Sequence, residues 1–265
     1  MTNTTVFITD ANGFIAQHIV KQSLDKGYYV VGSVNSGTIG EELKALTRSN
    51  KFSYEVIPVP EKEGAFDGPL KRHPEVSVFL HTTSYVDLDS KNAEENLLKP
   101  KIGSTLHMLH SIKNYAPAVR KVIITSSAVA SIGWYLRNCD KSIVYTEEDL
   151  NPITNEERSE HANWSYQASK KFAELTARRF VEQENPQFDV SFVNPVYVFG
   201  PRAYVNCKSA VLAEVNNSIS KLNKGDYYAK HSSIFVDVRD VARAHLVAFE
   251  KDSVVGKKLL MDFLD

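Results

Sequence analysis

An α/β fold built on a doubly wound, Rossmann-type parallel sheet is the architecture this sequence predicts, and three observations carry it. Short apolar runs alternate with segments of helical period from the first residues onward, the pattern of repeated βαβ units. Most of the runs are continuously apolar, as in strands covered on both faces. A turn containing Gly13 follows the first run and leads straight into a helix-period segment, the arrangement that opens a dinucleotide-binding sheet.

The first strand covers 5–9. Ile15, Ile19 and Leu24 then recur near helical spacing, and Gly27 is placed to end that helix. A second strand spans 29–34, a weaker helix passes through Leu43 and Leu46, and Phe52, Tyr54 and Val56 alternate as a third strand. The fourth strand is 76–80. Over 93–115, Leu98, Ile102, Leu109 and Ile112 share one helical face, with Pro100 and Gly103 weakening its middle. The fifth strand, 122–125, runs into Ser126 and Ser127. Residues 132–163 lose periodicity and gain charge around 147–149 and 156–158, so they read as a solvated surface excursion. A helix from 166 to about 182 and a strand at 190–193 follow, and Asn194-Pro195 breaks the regularity. From 201 to 231 the chain is polar and irregular apart from a helix near 211–222, which suits a small lobe over the sheet edge. Asp237 can cap a last helix over 238–249, with Val241, Ala244, His245 and Ala248 along its stripe. The division expected is a dinucleotide-binding domain, 1–195 completed by 235–255, and a small, C-terminally incomplete substrate lobe, 196–234 with 256–265.

A chain of 265 residues, 43% of them apolar, can bury a full core. A formal charge of −1 leaves no basic surplus for phosphate backbones or anionic lipid, which argues against nucleic-acid and membrane partners. Cys139 and Cys207 lie far apart, outside any metal-ligand spacing, so neither a disulfide framework nor a metal site is indicated and a reducing cytoplasm fits. The first apolar run, 6–8, is too short for a signal core or a membrane span.

The residues that carry chemistry cluster around the fifth strand. Carbonyl reduction needs a proton donor against the substrate oxygen. Tyr166 can supply it, with Lys170 four residues on, on the same helix face, drawing the phenol's pKa down from about 10. Ser127, at a strand's carboxyl end, can orient the carbonyl, with Ser126 as its backbone-shaping neighbour. The spacing alone is weak, because 12 tyrosines give a second pair, Tyr204 and Lys208, which lacks a serine-tipped strand before it. His81 reads as a structural histidine, and Ser84 and Tyr85 can line the cleft. In the turn 9–16, Gly13 and Ala16 match the phosphate-loop spacing, while Asp10 stands where the first glycine is usual. Its carboxylate can repel a pyrophosphate, turn outward, or accept the amides at the helix start as an internal substitute for phosphate; it can also be a simple cap. Asn35, after the second strand, offers one neutral hydrogen bond to the ribose side.

With these residues in place, the chain resembles the extended short-chain dehydrogenase/reductase family. Within that family it is most similar to the fungal NADPH-dependent methylglyoxal and aldehyde/ketone reductases, relatives of plant dihydroflavonol reductases. The resemblance runs over 5–260 and is most specific at 11–20, 125–127, 166–174, 193–201 and 236–249. It implies NADPH-dependent reduction of small aldehydes and ketones such as methylglyoxal, by a monomer or weak dimer. Ser127, Tyr166 and Lys170 are then catalytic, with Lys170 also binding the ribose. Asp10, Asn12, Gly13, Phe14, Ile15, Asn35, Thr82, Ser84, Lys170, Asn194, Pro195 and Val196 lie about the coenzyme. Several coenzyme contacts depart from the family. Its arginine after the second strand falls on Asn35, a lysine on Ile39, an aspartate on Val59, and its His-Thr-Ala-Ser-Pro segment reads His81 to Tyr85. The chain also stops several tens of residues before members of the family do. These departures support an alternative, a coenzyme-impaired or non-catalytic relative acting through binding. A sugar-nucleotide epimerase or dehydratase would share the catalytic set but needs a larger nucleotide lobe.

Overall fold

Four strands laid down in the order of the chain reverse direction of growth once, and that reversal creates the cleft. In the computed structural model, which describes residues 4–83, 99–133, 144–154, 162–204 and 235–261, β1 (Thr5–Ile8) is followed by α1 (Phe14–Asp25), β2 (Tyr29–Val34), α2 (Gly37–Thr47) and β3 (Phe52–Val56). The chain then returns to the other side of β1 with α3 (Asp67–Arg72), β4 (Val76–His81), α4 (Lys99–Tyr115), β5 (Lys121–Thr125), α5 (Ala162–Glu184) and β6 (Asp189–Pro195). The sheet order is β3-β2-β1-β4-β5-β6-β9, where β9 is Lys258–Met261, and every pairing is parallel. The switch between β1 and β4 opens a crevice at the carboxyl ends, where such sheets bind ligands. β7 (Tyr197–Phe199) and β8 (Phe235–Asp237) form a separate parallel pair leading into α6 (Val238–Glu250).

Both faces of the sheet are covered, which is why its central strands are apolar throughout. Val6 and Ile8 face α1 and α6, packing with Ile19, Val241 and Leu246. Phe7 faces the opposite layer, with Met108, Ile112 and Phe180 of α4 and α5. Phe7 stacks on Phe79 with ring centres 5.0 Å apart, and Phe66 meets both rings edge-on. Gly27, with φ of 85°, ends α1 in the left-handed region, as its place in the sequence predicts. Asp237 caps α6 by accepting the Arg239 amide at 2.8 Å.

Four expectations change. Residues 256–265 do not all belong with a lobe: Lys258–Met261 pairs with β6 in register Phe192↔Lys258 to Pro195↔Met261 and completes the main sheet. Asn194 and Pro195 do not break β6, because proline ends the strand, where it forfeits one ladder bond, and Val196 donates to the Met261 carbonyl at 3.0 Å. Within 132–163, Asn151 and Ile153 are fully buried, so that excursion returns to the core. The helix around Tyr166 begins at Ala162, and α3, six residues containing Pro69, is too short to show a period. The helix expected at 211–222, Cys139, Cys207 and Lys208 lie outside the described residues.

Phe79 is fully buried at the centre of the aromatic layer. Phe79→Ala is expected to cost about 3–5 kcal/mol, read as a lowered urea midpoint with the far-UV spectrum retained.

Candidate active site

Three loops meet at the carboxyl edge of β1, β4 and β5. The Thr9 hydroxyl binds the first two together: it accepts the amides of Thr82 (2.9 Å) and Thr83 (3.1 Å) and donates to His81 Nδ1 at 3.3 Å. The Thr82 hydroxyl donates back to the Thr9 carbonyl. His81 therefore carries its proton on Nε2, and burial, then the Lys170 charge, holds its pKa near 4. It is a structural histidine, as expected, and remains neutral at working pH.

The turn from β1 to α1 is shaped by Asp10. Its φ of 49° lies in the left-handed region, where glycine is at ease and Asp is better tolerated than most residues. Ser33 of β2 holds the turn, its hydroxyl accepting the Asp10 amide at 3.1 Å and its carbonyl accepting the Ala11 amide at 2.8 Å. The Asp10 carboxylate folds over Gly13: a Cβ on Gly13 would lie 3.0 Å from Oδ2. Among the described residues no amide donates to that carboxylate, so it neither caps the helix nor substitutes for a phosphate, and it does not turn outward. Burial, then the Glu61 charge, pushes its pKa up to about 6. Asn12 and Phe14 are buried and Ile15 is half-buried around the same turn.

Thr125, the last residue of β5, donates its hydroxyl to His245 Nε2 at 2.7 Å, while His245 Nδ1–H donates to the Val241 carbonyl at 2.8 Å. That bond anchors β5 to α6 just before Ser126 and Ser127, and burial keeps His245 neutral with a pKa near 4. Ser127 is extended (φ −159°) and precedes the tight turn Ala128–Ala130. Asn151 fastens that turn by donating to the Val129 and Ile132 carbonyls at 2.6 and 2.9 Å. The Ser127 hydroxyl hydrogen-bonds the Tyr166 phenol. Lys170, buried, stands one turn along α5 with Nζ 5.9 Å from the centre of the Tyr166 ring. Ser127, Tyr166 and Lys170 are thus brought together.

The electrostatics differ from expectation in one respect. Tyr166 keeps a partial opening to the cleft, yet burial still dominates and raises its pKa above 10, with the Ser127 bond pulling the other way and Tyr197 adding to the rise. The phenol therefore stays protonated across the neutral range. It is Lys170 that moves toward working pH: burial brings its amine down to about 8 against the opposing Glu174 charge.

The remaining candidates divide. Asn194 is fully buried and its amide donates to the Ser127 carbonyl (3.0 Å) and to Glu174 (2.5 Å), so its side chain braces the serine loop. Pro195 is buried, Val196 is half-buried and Asn35 is exposed past the end of β2. Ser84 and Tyr85 lie outside the described residues. Tyr204 packs on Phe14 and Val238, and burial sends its pKa to about 12, a core role. Thr9, Ser33, Asn151 and His245 do not announce themselves by spacing; their signal is a polar residue where an apolar one is the rule. A dinucleotide fits this crevice on two counts. The start of α1 faces it, and the buried hydroxyls Thr83 Oγ1, past the end of β4, and Ser126 Oγ, past the end of β5, have no partner among the described residues.

Comparison with known proteins agrees. The NAD dependent epimerase/dehydratase family matches residues 6–260. The NADPH-dependent methylglyoxal reductase of Saccharomyces cerevisiae is 40% identical over 97% of this chain and 77% of its own length. The crystal structure of yeast methylglyoxal/isovaleraldehyde reductase Gre2 complexed with NADPH superposes with a TM-score of 0.87 at 37% identity, covering 98% of this chain and 78% of that one. Gre2 of Candida albicans, also in complex with NADPH, gives 0.87 at 36% identity with the same coverage. Among the described residues, no helix is long and apolar enough to cross a membrane.

His81 and His245 are neutral when folded but take up protons when unfolded below pH 6.5. Their lowered pKa values make stability fall as pH drops from 6.5 toward 4, by about 2 kcal/mol per histidine between pH 7 and 5. Asp10, raised to about 6, binds protons in the folded state and offsets part of this. Urea midpoints at the two pH values should show a net loss at the lower one, and an unchanged midpoint would refute neutral burial.

Proposed function

The chain belongs to the NAD dependent epimerase/dehydratase family, and from that membership we propose that it is an NADPH-dependent reductase of small aldehydes and ketones, methylglyoxal among them. One observation carries the reading: the Ser127 hydroxyl, hydrogen-bonded to a protonated Tyr166, with the Lys170 ammonium one helical turn away. The names of the relatives support the substrate and coenzyme classes.

The carbonyl oxygen is held by the Ser127 hydroxyl and receives the Tyr166 proton. The hydride for the carbonyl carbon would come from NADPH held in the crevice. Because its pKa is raised, Tyr166 enters the reaction as the acid and leaves it as a phenolate. Lys170, cationic below about pH 8, stabilises that phenolate through the last step. The start of α1 with Asn12 to Ile15 would hold the pyrophosphate, Lys170 the ribose, and Thr82, Asn35 and Val196 the flanks of the coenzyme. We infer a cytoplasmic protein, monomeric or weakly dimeric, without nucleic-acid or membrane partners; the near-zero net charge supports this. The intact serine, tyrosine and lysine set weighs against a non-catalytic relative.

Tyr166→Phe should lower the rate of methylglyoxal-dependent NADPH oxidation by about 100-fold or more, with coenzyme affinity retained. Equal rates in the two proteins would overturn the mechanism. Asp10→Gly removes a carboxylate from the phosphate turn at a φ that glycine favours. It should tighten NADPH binding about ten-fold, or about 1.4 kcal/mol, read by fluorescence titration and as a larger coenzyme-induced rise in melting temperature.

A further inference from the structure

Behind the catalytic crevice lies a second set of charges that the reaction does not touch. Glu174 stands one turn beyond Lys170 on α5, and Lys258 lies on β9 beside Phe192 of β6. Both side chains are 1% exposed, with Lys258 Nζ 3.4 Å from Glu174 Oε2. A buried ion pair is weak evidence for stability, since desolvating both charges offsets their attraction. It is better evidence for placement when the partners' other bonds converge. Glu174 Oε1 accepts from Asn194 Nδ2, which also donates to the Ser127 carbonyl at 3.0 Å. Lys258 Nζ donates to Ser131 Oγ at 2.8 Å and to the Asp149 carbonyl at 2.9 Å. Ser127 and Ser131 bracket the tight turn Ala128–Ala130, so the pair grips both ends of the segment that presents the Ser127 hydroxyl.

We propose that Glu174 and Lys258 are positioning residues, a buried clamp that fixes the Ser127 turn against Tyr166 and faces Lys170 from behind. Its effect on turnover rests on the reductase reading; its effect on Lys170 in the free protein does not. Burial lowers the Lys170 pKa to about 8, and the Glu174 carboxylate opposes that shift. Lys258 draws on the same carboxylate, so two ammonium groups share one counter-charge. Among the described residues, the Tyr166 phenol on α5, which stays protonated, and His81 on β4, neutral above about pH 4, also face Lys170. Removing the carboxylate therefore lowers the Lys170 midpoint, and removing the Lys258 charge raises it. Loss of packing alone does not produce opposite signs.

The test is a pH titration of the free protein, labelled with carbon-13 at the lysine ε-carbons and followed by NMR; the Lys170 resonance is the one absent from Lys170→Met. Glu174→Gln should lower its midpoint by about one unit, Lys258→Met should raise it, and Lys258→Arg should leave it in place. The alkaline limb of kcat/KM for methylglyoxal with NADPH should move in the same directions. Asn194→Ala, which keeps all three charges, should lower kcat about ten-fold with the midpoint unmoved. A midpoint that stays put, or moves the same way, in Glu174→Gln and Lys258→Met overturns the clamp. So does a failure of Lys258→Met to fold that Lys258→Arg does not rescue. Midpoints that shift as stated in a protein with no reductase activity would keep the clamp and remove the reductase reading.

Discussion

Lys170 holds an ammonium group where burial carries its pKa from 10.5 to about 8, a displacement of about 3 kcal/mol that the surrounding fold has to sustain. A charge so placed survives only beside a counter-charge, and Glu174 on the same helix supplies one. The carboxylate is itself buried and braced by Asn194 from β6 and Lys258 from β9. Lys170 thus depends on two sheet strands that lie behind the crevice, and the geometry of Ser127 depends on the same residues. The parallel register of β5, β6 and β9 keeps these groups within hydrogen-bond reach of one another.

Two desolvated charges of opposite sign sit at the two ends of the crevice. Lys170 is pressed toward neutrality by losing its proton, Asp10 by gaining one, and both shifts arise chiefly from burial. At neutral pH each remains mostly ionised. The cationic end is suited to a developing phenolate. The anionic end faces the helix start where a pyrophosphate would lie, so Asp10 opposes the coenzyme there while adopting a left-handed turn that glycine would take up more readily. His81 and His245 carry no charge to compete with either: they serve as hydrogen-bond partners for Thr9, just past β1, and Thr125, the last residue of β5.

Most of the architecture could be read from pattern because its determinants are local. The runs at 29–34 and 52–56 coincide with β2 and β3, and the Gly27 stop and the Asp237 cap are both realised. The meeting of Ser127, Tyr166 and Lys170 was legible for a similar reason: a helical turn fixes the tyrosine and lysine, and a strand end fixes the serine. The sign of the Tyr166 shift was not legible, because it depends on how many atoms from other elements surround the ring. Nor was the place of β9 in the main sheet, because the strand-like run at 259–263 does not name β6 as its neighbour. The orientation of the Asp10 carboxylate is likewise a tertiary outcome, decided by Gly13 and Ser33.

The residues whose buried bonds the pattern does not foretell share one property. Thr9, Ser33, Asn194, His245 and Lys258 are polar side chains on elements whose neighbours are apolar, and each is buried. In a sheet covered on both faces, such a residue must find a partner or lose about 1–3 kcal/mol in desolvation. A polar residue in an apolar run therefore marks a long-range bond by its position alone, although the position does not name the partner. Thr9 and Ser33 bind the β1 turn, Asn194 and Lys258 the serine loop, and His245 the end of β5. All five bonds converge on the carboxyl edge of the sheet or on the loops that leave it. The polar exceptions to the apolar pattern, more than the apolar pattern itself, locate the site.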